Sequence, residues 1–307
     1  MSLVGIIKGA GPSGFGSNST AEQVTEGLDL KGKTYLVTGC NSGLGLETLR
    51  VLSARGAHVI AAARSEEKAQ AALAEAGAEG TPVACELSEP ASVRACVDAV
   101  KGLGRPLDAV IANAGIMALP KLEVVHGYER QFFTNHMGHF LLVTGLLDAL
   151  SEAGRVVMLS SAAHTGAPRE GIQLDNLDGA KGYSGWRNYG QSKLANLLFA
   201  RELAARFKAE GSARTANAVH PGVIRTNLVR HMTPLADWGM SAFGPIFFKT
   251  IPQGAATQVY VATHPAVEGV SGEYFYDCNI KGSSRLGRDA ALAKALWARS
   301  EEIAAAV

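Results

Sequence analysis

The chain is 307 residues long, 47% hydrophobic and 19% charged, too apolar for a disordered polymer and too poor in charge for a coiled coil. Its 29 Lys and Arg balance 28 Asp and Glu, so no global field recruits nucleic acid or an acidic membrane, and a small-molecule partner is expected. Glycine is in excess: 35 of 307 residues is about 11%, against a usual ~7%.

In chain order, residues 1–29 form a Gly/Ser/Thr-rich N-terminal arm without a sustained apolar period. No opening apolar stretch of the roughly 7 to 15 residues that a secretory signal needs is present. From Lys33 the pattern becomes strand, glycine turn, helix. The predicted elements are a strand through Tyr35–Val37, a helix over Leu44–Arg55, a strand over Ala57–Ala63 and a helix over Glu66–Ala76. A strand over Pro82–Leu87, a helix over Pro90–Leu103, a strand over Leu107–Ala112, a long helix over Glu123–Leu150 and a strand over Arg155–Leu159 follow. After a 26-residue irregular stretch come a helix (Trp186–Lys208), a strand (Arg214–Val219), a helix (Gly254–Thr263), a strand (Glu273–Tyr276) and a terminal helix (Asp289–Ala305). This alternation predicts an α/β fold: residues 30–307 as one doubly wound Rossmann domain, with about seven parallel strands flanked by helices.

Cys40, Cys85, Cys96 and Cys278 are scattered and form no C-x-x-C pair, which predicts neither a disulfide framework nor a zinc site, and a reducing, cytoplasmic setting. No apolar run approaches the ~18 residues of a membrane span. His126, His136 and His139 have no carboxylate or cysteine completing a metal set and read as structural.

The first strand ends in Thr38-Gly39-Cys40-Asn41-Ser42-Gly43-Leu44-Gly45. Between a strand and a helix, such glycines permit a tight turn and let backbone amides approach a pyrophosphate at the positive end of the helix. The competing reading is a purely structural turn. The second strand ends at Ala63-Arg64, with no acid at the point about 20 residues on where NAD-selective folds hold the ribose 2′-hydroxyl. A guanidinium there suits a 2′-phosphate, so NADP (NADPH) is expected and NAD disfavoured; the alternative is a solvated surface charge. Further along, Tyr189-Gly190-Gln191-Ser192-Lys193 places a phenol and an ammonium on one helical face. The ammonium, together with a nicotinamide cation, is expected to lower the phenol pKa and so fit it for proton exchange with a carbinol oxygen during hydride transfer.

With Asn113-Ala114-Gly115, Asn135, Ser160-Ser161 and Pro221-Gly222 in the same order, the chain resembles the short-chain dehydrogenase/reductase (SDR) family over about residues 30 to 290. Within it, the chain is similar to the branch of retinol dehydrogenases, WW-domain oxidoreductase and plastid-envelope short-chain dehydrogenase. The supporting stretches are Ser19–Val24, Tyr274–Asn279 and Leu296-Trp297.

The resemblance implies catalytic roles for Asn135, Ser161, Tyr189 and Lys193. Tyr189 would be the acid/base, and Lys193 would hold the nicotinamide ribose. Ser161, with Ser160 as the alternative, would bind the substrate oxygen. Asn135 would bend its helix and seat a relay water, or else be a buried Asn satisfied by backbone. Cofactor contacts are implied for Gly39, Asn41, Ser42, Gly43, Leu44, Gly45, Arg64, Glu86, Leu87, Asn113, Ala114, Gly115, Tyr189, Lys193, Pro221, Gly222, Ile224 and Thr226. Glu86 stands where the family usually has Asp beside the adenine. Ser161 and Tyr189 are 28 residues apart, an insertion carrying His164, Tyr183 and Trp186 that is expected to wall the substrate site.

The segment from about 226 to 251 is rich in aromatic and Met residues and reads as an apolar substrate lid, or as a packed helix pair, subunit contact or membrane-facing patch. The expected function is therefore an NADP(H)-dependent oxidoreductase (carbonyl reductase or alcohol dehydrogenase) acting on a hydrophobic ketone, aldehyde or alcohol. The alternatives are an NADP(H)-binding regulator or scaffold, or another chemistry on this fold. The resemblance also implies a homodimer or tetramer.

Overall fold

The computed structural model describes residues 9–224 and 248–307. Its core is an eight-stranded sheet of order β10-β9-β8-β7-β4-β1-β2-β3. The strands are β1 (Thr34–Thr38), β2 (His58–Ala63), β3 (Gly80–Ala84), β4 (Leu107–Ala112), β7 (Leu150–Leu159), β8 (Thr215–His220), β9 (Tyr274–Tyr276) and β10 (Asn279–Ile280). Seven are parallel; the short β10 returns antiparallel on β9. Pro82, which donates no ladder hydrogen bond, is tolerated because β3 is an edge strand.

Strand side chains alternate between two separate cores. Leu36, Ile60, Val110, Val156 and Met158 point to one, and Val37, Val59, Ile111, Val157 and Leu159 to the other. Both faces are covered by helices, which is why the strands read as unbroken apolar runs. On the second face lie α1 (Ala21–Val24), α2 (Gly43–Ala54), α3 (Glu66–Glu75) and α8 (Ile251–Thr263). On the first lie α4 (Pro90–Gly102), α5 (Arg130–Phe132), α6 (Gly138–Gly145), α7 (Gly185–Ala209) and α9 (Ala290–Ala306).

Three expectations need correction. The long helix over 123–150 does not exist as one element. Its first residues form a hairpin, β5 (Val124–Val125) and β6 (Tyr128–Glu129), because His126 (φ 51°) and Gly127 (φ 83°) take the left-handed turn that a two-residue hairpin needs. The remainder is α5, a π turn over Phe133–Met137, α6 and a 3-10 turn. Secondly, β7 begins at Leu150, five residues early, and crosses a register shift before Arg155. Thirdly, the arm is not irregular throughout. α1 is held by a Thr20–Gln23 capping box with Ala21 and Val24 buried, and the Phe15 ring packs edge-on to Tyr260 at 5.6 Å.

Candidate active site and dinucleotide crevice

The order of the sheet reverses between β1 and β4, and the crevice beyond the carboxyl ends of such strands is where open α/β folds bind ligands. The glycine loop closes over it. Gly39 and Gly43 adopt φ of 65° and 55°, and a Cβ on Gly45 would stand 2.1 Å from the Gly39 carbonyl oxygen. No side chain can occupy that position. Ser42 caps α2 without a side-chain hydrogen bond, and Asn41 and Ser42 are exposed, so the first-turn amides of this 12-residue helix face outward as a phosphate would require. Cys40 lies buried beneath, its thiol pushed up to about 12 by burial. Arg64 is exposed just past β2 and makes no ion pair among the described residues, next to Ser65, the N-cap of α3.

The Thr38 hydroxyl organises the floor. It accepts from the backbone N–H groups of Asn113 and Ala114, both at 3.0 Å, and sits 2.9 Å from His139 Nε2. Two N–H donors fill its lone pairs, so the O–H donates to Nε2 and the ring proton is on Nδ1, which donates to the Asn135 carbonyl at 2.9 Å. His164 repeats the arrangement: its Nε2 accepts from Ser284 N (3.2 Å), and its Nδ1 donates to the Ser161 carbonyl (2.6 Å). Two neutral imidazoles thus anchor the backbone at two of the four candidate catalytic residues. Burial holds His139 down to about 4 and lowers His164. It also depresses His136 and His220, each to about 3.

These shifts have a stability consequence. The unfolded histidines bind protons below about 6.5, and the folded ones resist doing so until lower pH. Stability is therefore lost as pH falls through that window, by up to about 1.4 kcal/mol per pH unit for each histidine. Denaturant midpoints should be clearly lower at pH 5 than at pH 7; equal midpoints would contradict the inward-facing histidines.

Asn135 sits in the π turn with no exposed surface. Its Oδ1 accepts from Ile116 N (2.8 Å), and its Nδ2 donates to Ile116 O and Ser192 Oγ (both 2.9 Å). Its side chain is thus fully engaged, holding the strip beside Gly115 against α7. Ser192 in turn donates to the Tyr189 carbonyl (2.8 Å).

Tyr189 and Lys193 lie one turn apart near the start of α7. The Ser161 side chain faces the Tyr189 phenol and favours its ionised form. Lys193 Nζ lies 5.7 Å from the Tyr189 ring centroid and donates to the Leu159 carbonyl at 3.0 Å. Between the two serines the geometry chooses: Ser160 is buried and donates to the Lys193 carbonyl at 2.7 Å, leaving Ser161 to meet the phenol. In the chain alone burial dominates: it pushes Tyr189 up to about 12 against the lowering effect of Ser161, and it brings Lys193 down to about 8.

The remaining predicted contacts divide. Ala114 and Gly115 reach the crevice, whereas Asn113 is a strut: its Nδ2 donates to the Thr38 carbonyl (2.8 Å), and its Oδ1 accepts from Gln258 (3.2 Å). Glu86 turns its carboxylate onto the Ser88 N–H and O–H (3.1 and 2.8 Å), and Leu87 is buried behind it. Pro221 and Gly222 leave β8 toward the crevice. Gly222, at φ 93°, lies against the Lys249 side chain, whose ammonium makes a buried 2.6 Å ion pair with Asp277. Ile224 bridges to Lys249 and packs on the side where Leu44 and Gly254 meet. Thr226 and most of the expected lid lie outside the described residues.

Within the insertion only Trp186 walls the open side. It is 63% exposed, with its ring edge-on to Tyr189 at 6.3 Å. Tyr183 is tied to the Leu119 carbonyl (2.7 Å), and His164 faces inward. Sequence reasoning missed the parts played by His139, His164, Ser192 and the Lys249–Asp277 pair. Only Ser192, one helical turn from Tyr189, carried a signal in its spacing.

The short chain dehydrogenase family model matches residues 33–235. Short-chain dehydrogenase TIC 32 B, chloroplastic, of Brassica napus is 44% identical over 310 residues, covering 97% of each chain. Retinol dehydrogenase 12 of Mus musculus is 39% identical over 287 residues, covering 91% of this chain and 88% of its own. A Burkholderia cenocepacia short chain dehydrogenase solved in complex with NADP is 26% identical, with a TM-score of 0.63 over 80% of this chain and 96% of its own. The chain belongs to the short-chain dehydrogenase/reductase family. It is an oxidoreductase of that family, similar to retinol dehydrogenases, and its fold implies an NAD(P) cofactor. Among the described residues no helix is long and apolar enough to cross a membrane.

Proposed function

We propose that the chain is an NADP(H)-dependent carbonyl reductase or alcohol dehydrogenase, interconverting a hydrophobic aldehyde or ketone and its alcohol. One observation carries this reading: a phenol facing Ser161, beside a buried lysine, at the mouth of a glycine-lined crevice. The glycine loop and the α2 amides would hold the pyrophosphate, Arg64 the 2′-phosphate, and Lys193 the nicotinamide ribose. The bound cofactor supplies the hydride. Ser161 orients the substrate oxygen toward Tyr189, which gives that oxygen its proton in reduction and takes it back in oxidation. The exposed Trp186 ring, a large apolar surface beside the acid, supports a hydrophobic substrate.

Fluorescence titration with NADPH and NADH, then turnover on a panel of hydrophobic aldehydes and ketones, tests the reading; cofactor binding without turnover on any of them would overturn it. For the 2′-phosphate, Arg64→Asp is expected to erode NADPH preference by about 10- to 150-fold, the size of one charge-assisted contact. The ratio of the two dissociation constants measures it, and an unchanged ratio would place recognition of the phosphate elsewhere.

A further inference from the structure

The helix that presents Tyr189 and Lys193 continues for 25 residues. Its second half, the loop into β8 and the start of α9 together line a cavity of about 910 Å³, within the usual range for a small-ligand pocket. The cavity meets β8 at Thr215, its first residue, whereas the crevice lies past His220, its last. About 17 Å of strand separates the two.

Arg201, Lys208, Arg214, Arg288 and Lys294 face this cavity against only two carboxylates, Glu202 and Asp289, in a chain of net charge +1. Both carboxylates are engaged: Glu202 pairs with Arg206 at 3.1 Å, and Asp289 caps α9 by accepting from Leu292 N at 3.0 Å. Arg214 is engaged with the Leu150 and Ser151 carbonyls, and Arg288 donates from one nitrogen to the Ser283 carbonyl.

Arg201 is different. It enters no ion pair among the described residues, and its buried Nε has no hydrogen-bond partner. Burial works against its charge; Glu273 attracts it without forming an ion pair, and Arg288 repels it more weakly. A buried guanidinium N–H without an acceptor, in the wall of a cavity lined mainly by cations, describes a place suited to an anion, since a buried donor left unmade is costly.

We propose that this cavity binds a small phosphate ester, with Arg201 and Arg288 as its principal cations. A planar guanidinium matches two phosphate oxygens at once. The small apolar residues Ala204, Ala213 and Ala293 along the walls leave room for the ester's organic part. The site is independent of the crevice and does not require turnover.

Calorimetric titration of the full chain with phenyl phosphate tests it, run with and without NADPH so that phosphate binding in the crevice is recognised by competition. The expected result is one equivalent bound in the presence of NADPH, weakened about 10-fold or more by Arg201→Met or Arg288→Met. NADPH binding and the thermal midpoint should be held in both variants. Flotation with phosphatidylcholine vesicles containing phosphatidic acid separates the sources. Arg201-dependent capture by vesicles assigns a lipid headgroup; binding of phenyl phosphate alone assigns a soluble ester. Binding of neither probe, or binding undiminished in the Arg201→Met/Arg288→Met double variant, overturns the proposal.

Discussion

Replacing Tyr189 by phenylalanine is expected to lower kcat for carbonyl reduction by about 10²- to 10⁴-fold while NADPH affinity stays within a few-fold. The substitution removes one oxygen and keeps the ring, so the edge-on packing with Trp186 survives. Ser161 keeps its backbone donor, the Ala163 N–H at 3.2 Å, so the loop is not released. What is lost is the proton that the carbinol oxygen needs. Because burial sets this phenol at about 12, it is protonated at neutral pH, which suits it as an acid. Alcohol oxidation, which needs the phenolate, should accelerate as pH rises. Single-turnover and steady-state rates on one aldehyde separate this chemistry from binding; comparable kcat in the variant would remove Tyr189 from the proton path.

The second large effect is the pH limb set by Lys193. Its ammonium is buried, with the Leu159 carbonyl as a hydrogen-bond acceptor, and burial brings it down to about 8. Reduction is served by the charged lysine. The rate should be level below about pH 7 and fall approximately tenfold per unit above about pH 8. Lys193→Arg keeps the charge at every accessible pH and should remove that limb, whatever it costs in absolute rate.

The same shift affects stability in the opposite sense. The folded lysine releases its proton near 8 and the unfolded one near 10.5, so between those values the unfolded state binds more protons and stability rises with pH. Between about pH 8 and 9, below the range where unfolded thiols such as that of Cys40 ionise before their buried counterparts and pull stability the other way, an alkaline fall in rate accompanied by a rise in denaturant midpoint is the expected pair. A rate profile flat to pH 10, or a limb that survives Lys193→Arg, would contradict the assignment.

Much of this site was legible because its elements are local. Thr38 to Gly45 is one turn between a strand and a helix, and Tyr189 with Lys193 is one helical repeat, so residue type and spacing were enough. The helix over 123–150 failed for a physical reason: apolar spacing continued through His126-Gly127, while backbone conformation there, φ 51° and 83°, forced a hairpin.

Two glycines of the arm, Gly11 and Gly16, became intelligible only in contact. A Cβ on Gly11 would collide with the Asn279 amide, from a residue 268 positions later. His139 and His164 were read as structural or as pocket wall because their function lies in which ring nitrogen carries the proton. That is fixed by Thr38 and Ser284, residues 101 and 120 positions away. The arginines of the cavity, Arg201 and Arg288, are brought to one place in the same way, from α7 and the turn before α9.

The central claim is hydride transfer to a hydrophobic carbonyl with Tyr189 as its acid. Incubating the full chain with NADPH deuterated at the transferable position of its nicotinamide and a hydrophobic aldehyde, and reading the product by mass spectrometry, tests it most directly. The account predicts deuterium on the carbinol carbon with wild type and none above background on the same timescale with Tyr189→Phe. Bound cofactor with no deuterium in the product of any aldehyde or ketone in the panel, or equal label from both proteins, would contradict it.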